Sequence, residues 1–312
     1  GRIPWEGFSV AEEVHHDAAE LPDGNILALS AMPDSVDDAL VKIDRNSGEE
    51  LLRINFQQML DPERPRQPIN LDDRDWLHLN GFDYNPVDGS VIASGRDQSA
   101  VIKFDLETGA LQWILGSHQY WGERFSDYLL EPVGEEFEWQ WGQHAPVFHP
   151  EDPTRILVYD NGNHRSYDAP LAPADNYSRA VEYQVDAEAG TVRQLWQYGK
   201  ERGSELFTPF IGDVDYLQPP AAGQARNRLV TFGGISRTRE GEPQPLFDLE
   251  EMVVNDMKIS AHIIEVTGEQ PAEPVFELVV EDPDVTSWAG YRIYRSERLE
   301  PDEFAGFSLE ER

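Results

Sequence analysis

Three of the eight histidines in this 312-residue chain recur at one place in a repeated pattern. His15 stands in Val14-His15-His16-Asp17, His78 in Leu77-His78-Leu79-Asn80, and His144 closes Gly142-Gln143-His144. A fourth cycle has Ile211-Gly212-Asp213 at that place. Alternate side chains of a strand share a face. His15 with Asp17, His78 with Asn80, His144, and Asp213 are therefore expected to converge, with His16 beside them. Imidazoles supply nucleophiles and bases, and the amide and carboxylates supply further polar contacts, as transfer through an anionic transition state requires. One histidine on a wet strand is bland; three in register are not. His118, His149 and His164 are expected in surface loops, and His262 begins a third strand rather than an inner one.

Three arginines follow the second strand of three cycles. They are Arg96 in Ser94-Gly95-Arg96-Asp97-Gln98, Arg165 after Tyr159-Asp160-Asn161-Gly162, and Arg237 after Gly233-Gly234. A lone arginine is usually a surface ion-pair partner. A recurrent one offers a rigid fork of donors for sulfate, phosphate or carboxylate.

These residues need a repeated scaffold. The cycles start at 15, 78, 142 and 211, separated by 63, 64 and 69 residues. Each reads as strand, turn rich in Pro, Gly and Asp, strand, then a second hairpin. The second hairpin is plainest in Val101–Asp105, Leu106-Glu107-Thr108-Gly109 and Ala110–Ile114. Four short antiparallel strands per repeat predict an all-β fold, a β-propeller of four-stranded blades. The chain is expected to be one propeller domain over residues 1–312. Clear blades fall at about 14–56, 77–116, 141–199 and 210–280, with 281–312 as closing strand and tail. Long connections at 57–73, 117–140 and 237–256 are expected to cap one face. Four blades are few for such a ring, so the chain is read as missing N-terminal blades or as closing through irregular ones.

Charge excludes some functions. Acidic residues number 59 against 25 basic ones, giving a net charge of −34 that repels nucleic acid and anionic membrane surfaces. No apolar run approaches the ~20 residues that span a bilayer, so no membrane insertion is expected. Cysteine is absent, which removes thiolate chemistry and disulfides. Only Lys42, Lys103, Lys200 and Lys258 are lysine. An acidic, lysine-poor surface suits a high-salt habitat, where screening relieves self-repulsion; a GC-rich genome is the alternative source of this composition.

The motifs together resemble the bacterial PAPS-independent arylsulfate sulfotransferase family. The resemblance rests on Val14-His15-His16-Asp17 with Leu21-Pro22-Asp23-Gly24-Asn25, Asp75-Trp76-Leu77-His78-Leu79-Asn80, and Ser94-Gly95-Arg96-Asp97-Gln98-Ser99. Trp113-Ile114-Leu115-Gly116, Gly142-Gln143-His144, Tyr159-Asp160-Asn161-Gly162 with Arg165, and Tyr198-Gly199-Lys200 complete it. It runs from about residue 14 to 298, where Tyr291-Arg292-Ile293-Tyr294-Arg295 looks like the last strand. It implies a six-bladed propeller, usually periplasmic or secreted and often a homodimer. It also implies transfer of a sulfuryl group from a phenolic sulfate donor to a phenol acceptor through a channel histidine, without metal or nucleotide cofactor. By motif, His78, His144 and Arg165 match its sulfate-binding positions, together with Asn80; the candidate catalytic residues are His144, His78, Arg165 and His16, and the candidate substrate-binding residues are His15, Asn80, Arg96 and Asp213.

One departure stands. The family's nucleophilic histidine should follow the Asp-Asn-Gly-x-x-Arg element, and only His262 lies beyond His164. Either His144, His78 or His16 has that role, or the chain is a non-catalytic propeller that binds an anion or ligand. A calcium-dependent lactonase-type propeller would use Asp17 and Asp213, a poor fit to the histidines.

Overall fold

The computed structural model describes residues 14–32, 35–67, 75–245, 257–283 and 290–299. The expected tail at 300–312, residues 1–13 and parts of two connections (68–74, 246–256) lie outside the described residues.

Four antiparallel sheets follow one another along the chain, each an up-and-down meander. The first is β1 (Val14–Glu20), β2 (Ile26–Met32), β3 (Ser35–Ile43) and β4 (Glu50–Asn55), followed by the single turn α1 (Phe56–Met59). The second is β5 (Leu79–Asn85), β6 (Ser90–Gly95), β7 (Ala100–Asp105) and β8 (Leu111–Gly116). The third gains a short parallel strand, β9 (Glu131–Pro132), from the preceding connection; β9 lies on the outer side of β13. Its meander is β10 (His144–His149), β11 (Asp152–Asp160), β12 (Arg179–Asp186) and β13 (Thr191–Tyr198). The fourth is β14 (Asp213–Tyr216), β15 (Arg228–Arg237), β16 (Lys258–Val266) and β17 (Pro274–Val280).

The turns repeat because their chemistry repeats. Asp44 accepts from the amides of Asn46 and Ser47 at 2.9 and 2.7 Å, and Asp105 accepts from that of Thr108 at 2.8 Å. Asp186 does the same for Ala189 at 3.0 Å. Each Asx turn ends on a left-handed glycine, Gly48, Gly109 or Gly190, where a Cβ would be strained.

The sheets stack face to face, and the sequence shows why. Val91 and Ala93 of β6 face the first sheet, packing with Leu27, Leu29 and Leu40; Ile92 between them faces the third sheet's Ile156, Val158 and Val181. In β11, Leu157 and Tyr159 turn the other way, toward Val214, Val230 and Phe232 of the fourth sheet. Strands covered on both faces read as continuous apolar runs, and every residue of β6 is buried. The end sheets need only one apolar face, and β17 leaves Val275, Phe276, Leu278 and Val279 exposed.

The first strands face one another in order: β1 lies against β5, β5 against β10, and β10 against β14. Side chains clamp these neighbours. Asp17 Oδ2 accepts from the Phe82 amide at 3.2 Å, and Asp83 Oδ2 from the Phe148 amide at 2.8 Å. His149, expected in a surface loop, ends β10, is buried, and meets the Tyr216 ring at 4.8 Å.

Candidate active site

Three of the four first strands, β1, β5 and β10, break their pairing near their start. Residues 16 and 17 bulge out of the β1–β2 ladder, and 145 and 146 out of β10–β11. His16, His78, Ala145 and Ile211 all have left-handed backbones, with φ from 48 to 52°. Non-glycine residues rarely tolerate this, and its recurrence marks a constraint of the site. The bulge also explains why consecutive His15 and His16 share the cleft where strict alternation would separate them.

The imidazoles gather there. The His16 ring lies 5.0 Å from His15 and 4.9 Å from His78, and His15 Nδ1 is 2.8 Å from His16 Nδ1. His78 Nδ1 is 2.6 Å from Asp75 Oδ2, and His144 Nδ1 is 2.6 Å from Asn161 Oδ1. The Asn161 amide nitrogen donates to the carbonyls of Thr208 and Ile211 at 2.9 and 2.8 Å, so its oxygen must face His144. His144 Nδ1 therefore carries the proton and Nε2 carries the lone pair.

Neighbouring sheets fix the strand that carries His144. The Gln143 side-chain amide donates to Ser94 Oγ, Gly95 O and Ala100 O at 3.0, 3.2 and 3.0 Å. The Gln143 carbonyl in turn accepts from Asn80 Nδ2 at 2.9 Å and Ser94 Oγ at 3.0 Å. The Arg96 amide donates to the His78 carbonyl at 3.2 Å, which places the arginine beside that histidine.

Three imidazoles are held neutral. Burial pushes His144 and His78 well below the ordinary range, and the charge of Arg96 adds to it in both. His16 keeps an edge open to the cleft, but the crowding protein wall, helped by His78, His15 and Arg96, lowers it to about 3. Arg96 is itself only 3% exposed. Burial lowers its pKa, from a value so high that it stays a cation.

Arg165 has a different environment. Its Nε, Nη1 and Nη2 donate to Asn176 Oδ1, Asp160 Oδ2 and the Tyr177 carbonyl at 3.0, 3.1 and 2.8 Å. The guanidinium lies 3.5 Å over the Tyr177 ring. Arg237 likewise donates to the carbonyls of Ser204, Glu205 and Gly241.

On the β14 side lies a cavity of about 560 Å³, lined among others by Asp17, Asp213, Asp215, Tyr216 and Arg295. Burial and mutual repulsion raise Asp213 to about 7; burial, with Glu297 and Asp83, raises Asp215 to about 6. The expected last strand at 291–295 is an irregular strap. Its Tyr291 and Ile293 amides donate to the Ile259 and Gly233 carbonyls at 3.0 Å each. Arg295 Nη1 reaches Asp17 Oδ1 at 2.8 Å, and Ser296 bonds Thr231, so the strap ties the fourth sheet to the first.

Four residues beyond the sequence expectation matter here: Asp75, Asn161, Tyr294 and Arg295. Asp75 carried a signal, three residues before His78. Asn161 read as a turn residue, and the strap's crossing had no local signal.

Stacked antiparallel sheets whose facing strands gather neutral imidazoles about a buried arginine define an all-β protein with a polar, imidazole-rich cleft. The chain belongs to the arylsulfotransferase (ASST) family, whose model matches residues 5–292. The arylsulfate sulfotransferase AssT of Escherichia coli O6:H1 is 31% identical over 177 residues, 52% of this chain and 28% of that protein. That of Lelliottia amnigena is 30% identical over 188 residues, 55% of this chain and 30% of that protein. The match thus spans under a third of each relative's length. Solved structures align loosely. Hydrazine synthase of Kuenenia stuttgartiensis gives a TM-score of 0.40 at 13% identity, covering 86% of this chain and 54% of that one. The periplasmic gluconolactonase of Pseudomonas aeruginosa gives 0.36 at 13%, covering 86% and 53%. Likeness of that depth bears on neither architecture nor activity. No helix among the described residues is long and apolar enough to cross a membrane.

Proposed function

We propose that this chain is a propeller-type sulfotransferase that moves a sulfuryl group from a phenolic sulfate ester to a phenol, with His144 as nucleophile. The observation that carries the reading is the fixed His144–Asn161 pair beside Arg96. The propeller reading is supported by four meanders stacked in chain order with their first strands facing.

In the first step the neutral His144 Nε2 lone pair attacks sulfur. An N–S bond forms, the S–O bond to the aryl oxygen breaks, and that oxygen leaves as phenolate. In the second step an acceptor phenol oxygen attacks sulfur, the N–S bond breaks, and the acceptor's proton passes to the departed phenolate or to water. A protonated ring has no lone pair to give, so the depressed pKa serves this chemistry directly. Arg96, with His78 and His16 around it, faces the charge on the sulfuryl oxygens.

Taking His144 as nucleophile and Arg96 as the sulfuryl-binding arginine departs from the order that the family resemblance implies, because His144 precedes the Asp160-Asn161-Gly162-x-x-Arg165 element. Arg165 then acts as a brace of the third sheet. A periplasmic or extracellular location and a homodimer belong to the same proposal. The second reading, an anion-binding protein without turnover, draws on Ile211, which occupies in the fourth sheet the left-handed position that His16 and His78 hold in the first two.

The test is nitrophenolate release from p-nitrophenyl sulfate with a phenol acceptor, at low and high salt. Release that His144→Ala reduces by about 10³-fold or more supports the reading. No release from the wild type sinks the enzyme and leaves the binding protein.

A further inference from the structure

The strap delivers a phenol to the imidazoles. The Tyr294 ring lies 6.1 Å from His16 and 6.2 Å from His144, closing the side of the cleft where the fourth sheet offers no histidine. Its hydroxyl is buried and has no hydrogen-bond partner. A buried hydroxyl left unsatisfied is costly, and native structures rarely keep one without a ligand or water to fill it. Asn80, the amide expected to bind substrate, has given Nδ2 to the Gln143 carbonyl; its Oδ1 is an acceptor, which repels an oxyanion.

We propose that the Tyr294 hydroxyl is a hydrogen-bond donor to an oxygen of the bound sulfuryl group, completing from the C-terminal strap the oxyanion site that Arg96 provides from the second sheet. The inference rests on the sulfuryl-transfer reading above and adds a ligand contact to that site.

Burial raises the Tyr294 pKa to about 12, although Arg295 and Arg96 oppose the rise. The phenol thus keeps its proton at working pH and can donate. The same shift argues against a role as nucleophile or proton-delivering acid, because a nitrophenolate leaving group is far less basic. Anchors on both sides set its position. Ile293 and Ser296 are bonded to Gly233 and Thr231 of β15, and Arg295 to Asp17 of β1. A donor fixed before the substrate arrives costs no reorganisation when charge develops on sulfur's oxygens.

The test compares the whole chain with Tyr294→Phe, using inorganic sulfate as the probe in calorimetry, and with Tyr291→Phe as an exposed control three residues away. Tyr294→Phe should weaken sulfate binding by about 10- to 100-fold, the effect of one lost bond to a charged group. It should leave the melting temperature unchanged or raised, since the ring stays and an unsatisfied hydroxyl goes. Tyr291→Phe should change neither. Equal sulfate affinity in Tyr294→Phe, or no sulfate binding by the wild type, overturns the proposal. So does a fall in melting temperature that tracks the lost affinity, which would show a structural role. Tyr294-dependent sulfate binding without turnover would sink the sulfotransferase reading alone. Turnover left intact by Tyr294→Phe would sink only the donor.

Discussion

Asp75 Oδ2 lies 2.6 Å from His78 Nδ1, and both residues precede the strand that His78 leads into. Asp75 is 4% exposed, so the pair is shielded from water. A carboxylate acceptor makes Nδ1 the protonated nitrogen and turns the Nε2 face toward the cleft, as the acidic member of a hydrolytic triad orients its histidine. Asp75→Asn keeps the shape but offers an NH₂ group as readily as an oxygen, which allows the wrong tautomer. The expected result is a loss of about 10²-fold or more in kcat for nitrophenyl sulfate, with the melting temperature moved by only a few degrees. An unchanged kcat would make the pair a packing contact.

Asn161 plays the corresponding part for His144 with a neutral group. Its amide nitrogen is held by two carbonyls, so the side chain cannot flip. Asn161→Ala strands those carbonyls and frees the ring. Stability should fall by about 1–3 kcal/mol in denaturant unfolding. The residual activity should be lower by about 10- to 100-fold, expressed in kcat and not in KM, because the substrate is not touched. A change confined to KM would place Asn161 in the binding site instead.

The repeat was legible because it is local. Asp44 with Gly48 and Asp105 with Gly109 announce the same hairpin turn in two cycles, and apolar alternation places the strands around them. The motif that carries His15, His78 and His144 was legible for the same reason, but the recurrent left-handed position falls on His16, His78, Ala145 and Ile211, so the register read from the sequence is one residue off at His15 and His144. What stayed hidden depends on contacts distant in sequence or on broken alternation. The left-handed residues at His16 and His78 bring both faces of a strand into one cleft, which period-two reasoning forbids. Arg165 and Arg96 looked equivalent after their second strands. Their surroundings differ: Arg165 is enclosed by Asp160 of its own motif and by Asn176 and Tyr177, which lie more than ten residues further along the chain. Tyr294 is brought to His16 across 278 residues by a strap with no periodicity.

The ionisable groups of the cleft give stability two opposed slopes in pH. His16, at about 3, and His78 and His144, well below the ordinary range, stay neutral in the fold while the unfolded chain takes up protons below about 6.5. Their contribution is present above that pH and is lost as pH falls toward 3. Asp213, at about 7, and Asp215, at about 6, hold protons in the fold that the unfolded chain has released above about 3.9. Their contribution is present at low pH and is lost as pH rises through 6 to 7. Urea unfolding between pH 4 and 8 should therefore show Asp213→Asn gaining stability relative to wild type as pH rises. His144→Gln should gain relative to wild type as pH falls. Parallel pH profiles for wild type and both variants would contradict the assignment.

A net charge of −34 makes self-repulsion a large term in this chain. Pairs such as Lys42 with Asp23 and Glu107 are weakened by salt, but 25 basic residues cannot pair 59 acids. Screening should then favour the fold on balance, with the Debye length falling from about 10 Å at 0.1 M to about 3 Å at 1 M. The melting temperature should rise across that range in potassium chloride, which does not rely on sulfate's exclusion from protein surfaces or its binding in the cleft. A flat or falling curve would remove the high-salt interpretation of the acidic surface.

Gly233 sets how closely the strap can lie on β15. A Cβ there would sit 1.8 Å from the Ile293 carbonyl oxygen and 3.0 Å from its carbon, both backbone atoms that cannot rotate aside. Gly233→Ala must therefore push the strap away, break the hydrogen bond that the Ile293 N–H donates to the residue 233 carbonyl, and withdraw Tyr294 from His16 and His144. The four sheets have their own cores, between the first and second, second and third, and third and fourth, and none depends on residue 293. The expected outcome is a folded protein with unchanged far-ultraviolet dichroism, a stability lower by about 1–3 kcal/mol, and a loss of sulfate affinity as large as that of Tyr294→Phe. Combining the two substitutions should cost little more affinity than either alone, because both remove one contact. Additive losses would show that Gly233 acts on the site by a route other than the strap.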